Sequence, residues 1–305
     1  MTKIKSNPAV SAIIPTYNRA HLIGRAVQSV LNQTYQDFEI LIIDDGSTDN
    51  TEEIIKSFRD ERIRHIRHER NKGAAAARNT GIKAARGEYI AFQDSDDEWY
   101  SNKLEEISKI IEERKDVDFI TSYGKIIKNG KIIGDIGRAP WVNVLSKTEL
   151  IIRLFISNFI PTQGVVVKKE KIVEVGGFDE SLPSASDYEL WLRLAPICTL
   201  YFVNKPLFNL YFSQKSLTSD IGKRIKSQVH LFNKNQKILK KFVNSKILYY
   251  IIRQRCLSNI FNTAARDIER RQNNKKLALL LYLLSFIFFP NFGILCFTKR
   301  LVREA

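Results

Sequence analysis

The stretch Glu88-Tyr-Ile-Ala-Phe-Gln-Asp-Ser-Asp-Asp97 runs from an apolar strand pattern into three carboxylates, Asp94, Asp96 and Asp97. Acids this close repel one another, and the cost is ordinarily offset by a bound cation or a cationic partner. The strand tip therefore predicts a divalent metal carrying a diphosphate. The competing reading is a solvated acid cluster capping a helix. What stands at the neighbouring strand ends decides between them.

Upstream, Ala9 to Ile14 reads as a buried strand entering Pro15-Thr16-Tyr17-Asn18, and Leu22, Ile23, Ala26, Val27, Val30 and Leu31 follow at helical spacing. Phe38 to Ile43 is a second apolar strand ending at Asp44-Asp45-Gly46-Ser47, after which Asp49 with Glu52 matches a capping pattern. Ile63 and Ile66 mark a short strand, Ala74 to Ala85 a helix, and Tyr89 to Phe92 the strand quoted above. Strands alternating with helices imply crossover connections and a mostly parallel sheet covered on both faces. Such sheets bind ligands beyond the carboxyl ends of their strands. Thr16-Tyr17, Asp44-Asp45 and Asp94 to Asp97 should then converge on one crevice.

Downstream, Ser101 precedes a helix carrying Leu104, Ile107, Ile110 and Ile111, and Asp118 to Tyr123 is strand-like. Ile126 to Ile133 reads as a hairpin turning at Asn129-Gly130, so the sheet becomes mixed. Gln163 to Lys168 gives another strand, followed by Val175-Gly-Gly-Phe-Asp-Glu180 and a helix from about Ser186 that contains Asp187, Trp191 and Arg193.

The chain has 305 residues and a net charge of +15. Residues 214–305 hold 19 Lys plus Arg against 4 Asp plus Glu, which accounts for all of the excess. A module boundary is therefore expected near 213, with a sheet domain over 1–213 and a basic helical module over 214–305. Concentrated charge of this kind points to phospholipid headgroups or nucleic acid, and no recognition module or aromatic platform for nucleic acid accompanies it. Within the module, Leu277 to Phe289 is a run of thirteen apolar or weakly polar residues, with a further apolar piece to Phe297. At about 1.5 Å per residue the first run covers roughly 20 Å, short of a hydrocarbon core of about 30 Å. With Lys275-Lys276 before it and Lys299-Arg300 after it, segment 277–297 reads as an interfacial or re-entrant element. A core helical hairpin is the other reading. Cys198, Cys256 and Cys296 form no CxxC pair, and the N-terminus lacks the apolar stretch of a secretory signal, so a reducing, cytoplasmic setting is expected.

The ordered set Val10-Ser-Ala-Ile-Ile-Pro-Thr-Tyr-Asn-Arg19, Ile42-Ile-Asp-Asp-Gly-Ser-Thr-Asp49, Asn71-Lys-Gly-Ala-Ala-Ala-Ala-Arg-Asn79 and Asp94-Ser-Asp96 resembles the inverting family-2 glycosyltransferases of the GT-A fold. The resemblance spans about residues 9–213. It implies an α/β nucleotide-diphospho-sugar transferase fold and transfer of a sugar from a nucleotide donor, UDP-linked by family habit, to a hydroxyl of a surface-glycan or lipid-linked acceptor. Pro15, Thr16, Tyr17 and Asp45 occupy positions that hold the nucleotide base, while Lys72 and Arg78 approach base or diphosphate. Asp94 and Ser95 fall on the donor, Asp96, with Asp94, on Mn2+ or Mg2+, and Asp97 beside them as support.

The chemistry implied has its own physical logic. A departing diphosphate gathers negative charge that a hard cation held by one or two carboxylates can stabilise. The attacking hydroxyl needs its proton accepted by a positioned carboxylate, and Asp187 is the candidate. The residue before it is Ser186, where the family commonly has Glu, so the role of that first acid is lost or moved. Asp187 as a plain helix cap, Lys72 and Arg78 as surface charges, and His65 and His68 as a surface pair are the alternatives weighed, and the histidines receive no role. A nucleotidyltransferase would want a Gly-rich phosphate loop where Pro15-Thr16-Tyr17-Asn18 stands. A non-catalytic membrane scaffold would need only the fold and the basic tail. The expectation is an enzyme, peripheral on the inner face of the cell membrane, without a nucleic-acid partner.

Overall fold

The computed structural model describes residues 7–139, 143–182, 184–212, 221–272 and 275–288. The chain divides into two compact units. One comprises Met1–Ser146, Phe159–Ser181 and Ser186–Phe212, and the other Lys147–Asn158, Leu182–Ala185 and Ser213–Ala305.

In the first unit, β1 (Val10–Thr16), β2 (Phe38–Asp44), β3 (Ile63–Arg67) and β4 (Tyr89–Phe92) lie parallel in the order β3-β2-β1-β4. The crossovers carry α1 (Ala20–Leu31), α2 (Thr51–Ser57) and α3 (Ala74–Ala84). Every residue of β1 and β2 is buried. A strand covered on both faces has no polar side to alternate with, which is why these segments read as continuous apolar runs. Ile23, Val27 and Val30 of α1 pack with Val10, Ala12, Ile14, Ile40 and Ile42. Burial of each large side chain contributes about 1.5–3 kcal/mol.

Beyond β4 the sheet is mixed. β8 (Val166–Lys168) pairs antiparallel with β4 and with β6 (Phe119–Lys128), and β9 (Leu200–Tyr211) runs parallel to β6. β5 (Glu98–Trp99) pairs antiparallel with β9, and β7 (Lys131–Ile136) with β6. The β6–β7 hairpin turns at Asn129 and Gly130, with φ of 51° and 73°. That is the left-handed pair an Asn-Gly turn supplies. The remaining helices of this unit are α4 (Lys103–Glu113), α6 (Lys169–Glu174) and α7 (Ser186–Leu194).

Three local expectations change. Asp49 makes no capping box with Glu52. Its carboxylate accepts from Thr51 N at 3.0 Å and from Ala20 N at 3.1 Å, serving the starts of α2 and α1, while Glu52 pairs with Lys56 and Arg67. Ser101 does not cap α4, which follows Asn102. The first-turn donor Leu104 N is taken instead by Gln33 Oε1 at 2.8 Å. Residues 162–164 form a single 3-10 turn, with Gly164 N donating to Pro161 O at 2.9 Å and Val165 N to Thr162 O at 3.1 Å. The strand expected from Gln163 therefore begins only at Val166.

The second unit contains α5 (Lys147–Ile156), α8 (Ile221–Phe242), α9 (Lys246–Gln272) and α10 (Lys275–Phe288). Ala278, Leu281 and Tyr282 of α10 pack on Ala264, Ala265 and Ile268 of α9. Ser285 Oγ donates to Asn262 Oδ1 at 2.9 Å, which satisfies a polar pair inside this contact. Leu279, Leu280 and Leu283 face outward and are exposed. The apolar run thus has one packed face and one open face. Among the described residues no helix is long and apolar enough to cross a membrane. Residues 289–297 of the expected segment, with Cys296, lie outside the described residues.

Candidate active site

Register alone brings the three strand tips together. Thr16 sits opposite Asp44 and Ile13 opposite Phe92, while Asp45 N donates to Thr16 O at 2.8 Å and Gln93 N to Ile13 O at 3.0 Å. Pro15 and Thr16 are buried, Thr16 Oγ1 without a hydrogen-bond partner among the described residues, and Tyr17 is exposed.

Asp45 is buried, and both of its carboxylate oxygens are engaged. Oδ1 accepts from Lys72 N at 2.9 Å and contacts His68 Nδ1 at 2.7 Å, and Oδ2 accepts from Gly73 N at 2.8 Å. His68 Nε2 in turn meets Thr80 Oγ1 at 2.9 Å. His68 is therefore a buried bridge between β3 and α3, not the surface residue its basic surroundings suggest. His65 is half-buried, and burial pushes its imidazole down from the ordinary value. The Lys72 side chain is exposed, so it is the backbone N–H that ties this residue to Asp45. Gly46 has φ 78°, and a Cβ there would stand 2.8 Å from the Arg70 carbonyl carbon. Only glycine lets the 70–73 loop close over the acid.

At the β4 tip the three acids separate by environment. Asp94 accepts from Arg78 Nη2 at 2.7 Å and from Gln163 Nε2 at 2.8 Å. Arg78 is buried, so it is an internal partner of Asp94 rather than a surface charge. Ser95 is also buried. Asp96, like Asp94, is partly exposed, with Arg19 Nη2 at 3.9 Å. Burial and then the charge of Asp94 push its carboxyl upward, and Arg19 and Arg25 offset this in part. Asp97 is almost wholly buried. It accepts from Tyr211 N at 2.9 Å and from Gln163 Nε2, and burial, then Asp94 and Asp96, push it well above the usual carboxylate range.

Asp187 lies in the first turn of α7, where its Oδ2 accepts from Thr162 Oγ1 at 2.9 Å. The turn before it, Val175 to Glu180, is held from two helices. Asn79 of α3 donates to Phe178 O at 2.9 Å and accepts from Phe178 N at 2.8 Å. Arg193 of α7 donates to the carbonyls of Val175 and Gly177 and pairs with Glu189. Gly176 and Gly177 both have positive φ, but Gly177 admits the Asn79 side chain rather than a ligand, since a Cβ there would stand 2.7 Å from Asn79 Oδ1.

Thr162, Gln163, Asn79 and His68 escape a reading of the sequence. For Gln163 a faint signal exists in Pro161-Thr-Gln-Gly164, a turn-like tetrad inside an apolar run. For His68 there is none.

The oxygen donors present suit a hard cation. Asp94 and Asp96 are both partly exposed, each Asp94 oxygen accepts one hydrogen bond, and burial with the Asp94 charge pushes the Asp96 carboxyl upward, a repulsion that a bound cation would relieve. Among the described residues no three His, Cys, Asp or Glu side chains are grouped to hold an ion. Magnesium-type sites commonly use one or two carboxylates and complete the shell with substrate phosphates, which this arrangement fits.

Residues 11–175 match the family model described as glycosyl transferase family 2. An uncharacterized glycosyltransferase of Rickettsia felis is 38% identical over 219 residues, which is 70% of this chain and 36% of the relative. The Escherichia coli UDP-Glc:alpha-D-GlcNAc-diphosphoundecaprenol beta-1,3-glucosyltransferase WfgD is 37% identical over 126 residues, covering 41% of this chain and 49% of that protein. The chain thus spans between a third and a half of the length of these two relatives. Staphylococcus aureus TarS 1-349, crystallised in complex with UDP-GlcNAc, superimposes with a TM-score of 0.62 at 20% identity, over 95% of this chain and 91% of that one. Mannosyltransferase PcManGT from Pyrobaculum calidifontis, in complex with GDP-Man and Mn2+, gives 0.60 at 18% identity over 99% and 89%. The fold is the GT-A type of these enzymes. With the strand-tip acids in register and the family model covering more than half of its length, the chain belongs to glycosyl transferase family 2.

Proposed function

We propose that this protein is an inverting glycosyltransferase that moves a sugar from a nucleotide-diphosphate donor, UDP-linked, to a hydroxyl of a surface-glycan or lipid-linked acceptor. The observation that carries this reading is that one short turn at the carboxyl ends of a parallel sheet bonds the strand-tip acids Asp94 and Asp97, which flank the partly exposed Asp96, and also the second acid Asp187. Asp187 accepts the proton of the acceptor hydroxyl as its oxygen bonds to the anomeric carbon, and the bond from that carbon to the diphosphate breaks on the opposite face, the diphosphate leaving with the electron pair. Asp96, with Asp94 oriented beside it by Arg78, would hold Mn2+ or Mg2+. Bound there, the ion supplies charge stabilisation to the leaving diphosphate. The Escherichia coli relative, named for UDP-Glc and a diphosphoundecaprenol-linked sugar, supports the donor and acceptor classes.

The second unit brings this activity to an anionic membrane surface on the cytoplasmic side. Residues 214–305 hold the whole positive excess, and α10 presents the exposed Leu279, Leu280 and Leu283 beside Lys276. Polybasic segments gain about 1 kcal/mol per cation near such a surface.

Release of nucleoside diphosphate from a panel of sugar nucleotides with Mn2+ or Mg2+ tests the reading. Asp96→Asn should abolish turnover with the fold intact, and Asp187→Asn should lose turnover while keeping donor binding. Unchanged rates in both variants would sink the assignment.

A further inference from the structure

The 162–164 turn touches both halves of the candidate site with adjacent side chains. Gln163 Nε2 donates to Asp94 Oδ2 at 2.8 Å and to Asp97 Oδ2, on the strand tip that would carry donor and cation. Thr162 Oγ1 donates to Asp187 Oδ2 at 2.9 Å, on the helix that would carry the base. Thr162 and Gln163 are both buried.

The turn itself is fixed from below and behind. Lys103 is fully buried and donates from Nζ to Gln163 O, with Nζ 3.9 Å from the centroid of the Trp99 ring. A Cβ on Gly164 would stand 2.3 Å from Ser122 O, so the turn lies directly against β6. Burial pushes the Lys103 amine well below its ordinary value, and its hydrogen bond fixes the carbonyl of Gln163 from inside the fold.

We propose that Thr162 and Gln163 are paired positioning residues, a spacer that fixes the donor-side acids and the acceptor-side base relative to each other. The inference rests on the functional reading above. Gln163 fixes the Asp94 carboxylate opposite its Arg78 bond and holds the buried Asp97, the two acids on either side of Asp96. Thr162 donates to one oxygen of Asp187, which orients the other for the acceptor. Because the two residues are adjacent in one 3-10 turn, neither acid can shift without disturbing the frame of the other. Misplacement of about 1 Å can cost about a hundredfold in rate, which is the scale such a spacer protects against.

A split between donor binding and turnover distinguishes this role from plain stability. Donor KM and kcat are measured by nucleoside diphosphate release in Mn2+, with UDP binding by calorimetry. Thr162→Val should lower kcat roughly tenfold or more with donor KM and UDP affinity within about twofold of the parent, and Thr162→Ser should restore kcat. Gln163→Met should instead weaken UDP binding in Mn2+ and raise donor KM, each by roughly tenfold. If Gln163→Met fails to fold, Gln163→Asn, whose amide is drawn back by one methylene, is read in the same way. Parent-like kinetics in Thr162→Val and the Gln163 variant, with Asp96→Asn and Asp187→Asn inactive, overturn the spacer alone. A parent protein that neither binds UDP nor turns over any sugar nucleotide overturns the functional reading and the spacer with it.

Discussion

Arg78 Nη2 and Asp94 Oδ1 form a 2.7 Å ion pair, with the Arg78 guanidinium 5.5 Å from the centroid of the Phe178 ring. The pair ties α3 to the β4 tip and sets which way Asp94 faces. Arg78→Met keeps the stem and removes the charge. It should lower turnover roughly tenfold to a hundredfold, as loss of a group orienting a ligand residue commonly does. Loss of a charged hydrogen bond should also cost about 1.5–3 kcal/mol in urea unfolding. Parent-like turnover would show that Asp94 needs no such partner.

His68 joins Asp45 to Thr80 from inside the fold. His68→Phe fills the space without either bond, so the 71–73 loop loses one of the contacts that hold Asp45. Nucleotide affinity, read by calorimetry with UDP and Mn2+, should fall by about tenfold, the factor carried by roughly 1.4 kcal/mol. An unchanged affinity would mean that the backbone bonds from Lys72 and Gly73 hold Asp45 by themselves.

The two adjacent glycines should respond differently to a methyl group. Gly176 at φ 84° has nothing within 4 Å of a built Cβ, so Gly176→Ala carries backbone strain alone, about 1 kcal/mol. Gly177 at φ 73° adds a 2.7 Å clash with Asn79 Oδ1. Gly177→Ala should displace Asn79 from Phe178 and lower stability by about 2–4 kcal/mol. Equal melting temperatures for the two variants would contradict the clamp.

Glu39 gives the fold an acid-sensitive element. Burial would raise its pKa, but hydrogen bonds from Arg64, Arg86 N and Ser11 outweigh this and leave it below the usual value. The folded state therefore binds this proton less readily than the unfolded chain, whose glutamates titrate near about 4.3. The stabilisation is fully present above that pH and is lost as pH falls through the lower folded value. Glu39→Gln should be less stable at pH 7 by about 1.5–3 kcal/mol, with the difference from the parent shrinking below about pH 4. A gap that stays constant with pH would remove Glu39 from this role.

Outward-facing leucines of α10 are the means to test membrane contact without opening the α9–α10 packing. Leu279→Glu, Leu280→Glu and Leu283→Glu combined should abolish sedimentation with vesicles containing anionic lipid and leave nucleoside diphosphate release intact. Persistent sedimentation would assign binding to the basic residues alone. Each cation near such a surface contributes about 1 kcal/mol, so the salt dependence of binding would then be steep.

Much of the first unit is legible in the sequence because a covered parallel strand must be apolar throughout, and its crossover has a fixed hand. Those two constraints place Thr16, Asp45 and Asp94 at the carboxyl ends of parallel strands, and the order β3-β2-β1-β4 makes those ends adjacent. The expectations that failed are those in which a side chain had a choice of partners. Asp49 could have capped its own helix with Glu52 nearby, and it bridges two helix starts instead. Gln163 stands in an apolar run that reads as strand, and it leaves the strand to bond Asp97, sixty-six residues away in sequence.

The sequence by itself determines that Thr16, Asp45 and Asp94 to Asp97 stand at the carboxyl ends of parallel strands, since apolar runs encode which segments are buried strands and the intervening helices make the connections crossovers. Tertiary structure alone decides which partners each acid has. Asp45 is engaged by the 71–73 loop and His68, Asp94 is oriented by Arg78 and Gln163, Asp97 is buried, and Asp94 and Asp96 both stay partly exposed. Those partners come from separate elements, and a hydrogen bond between distant residues leaves no periodic trace in either local pattern.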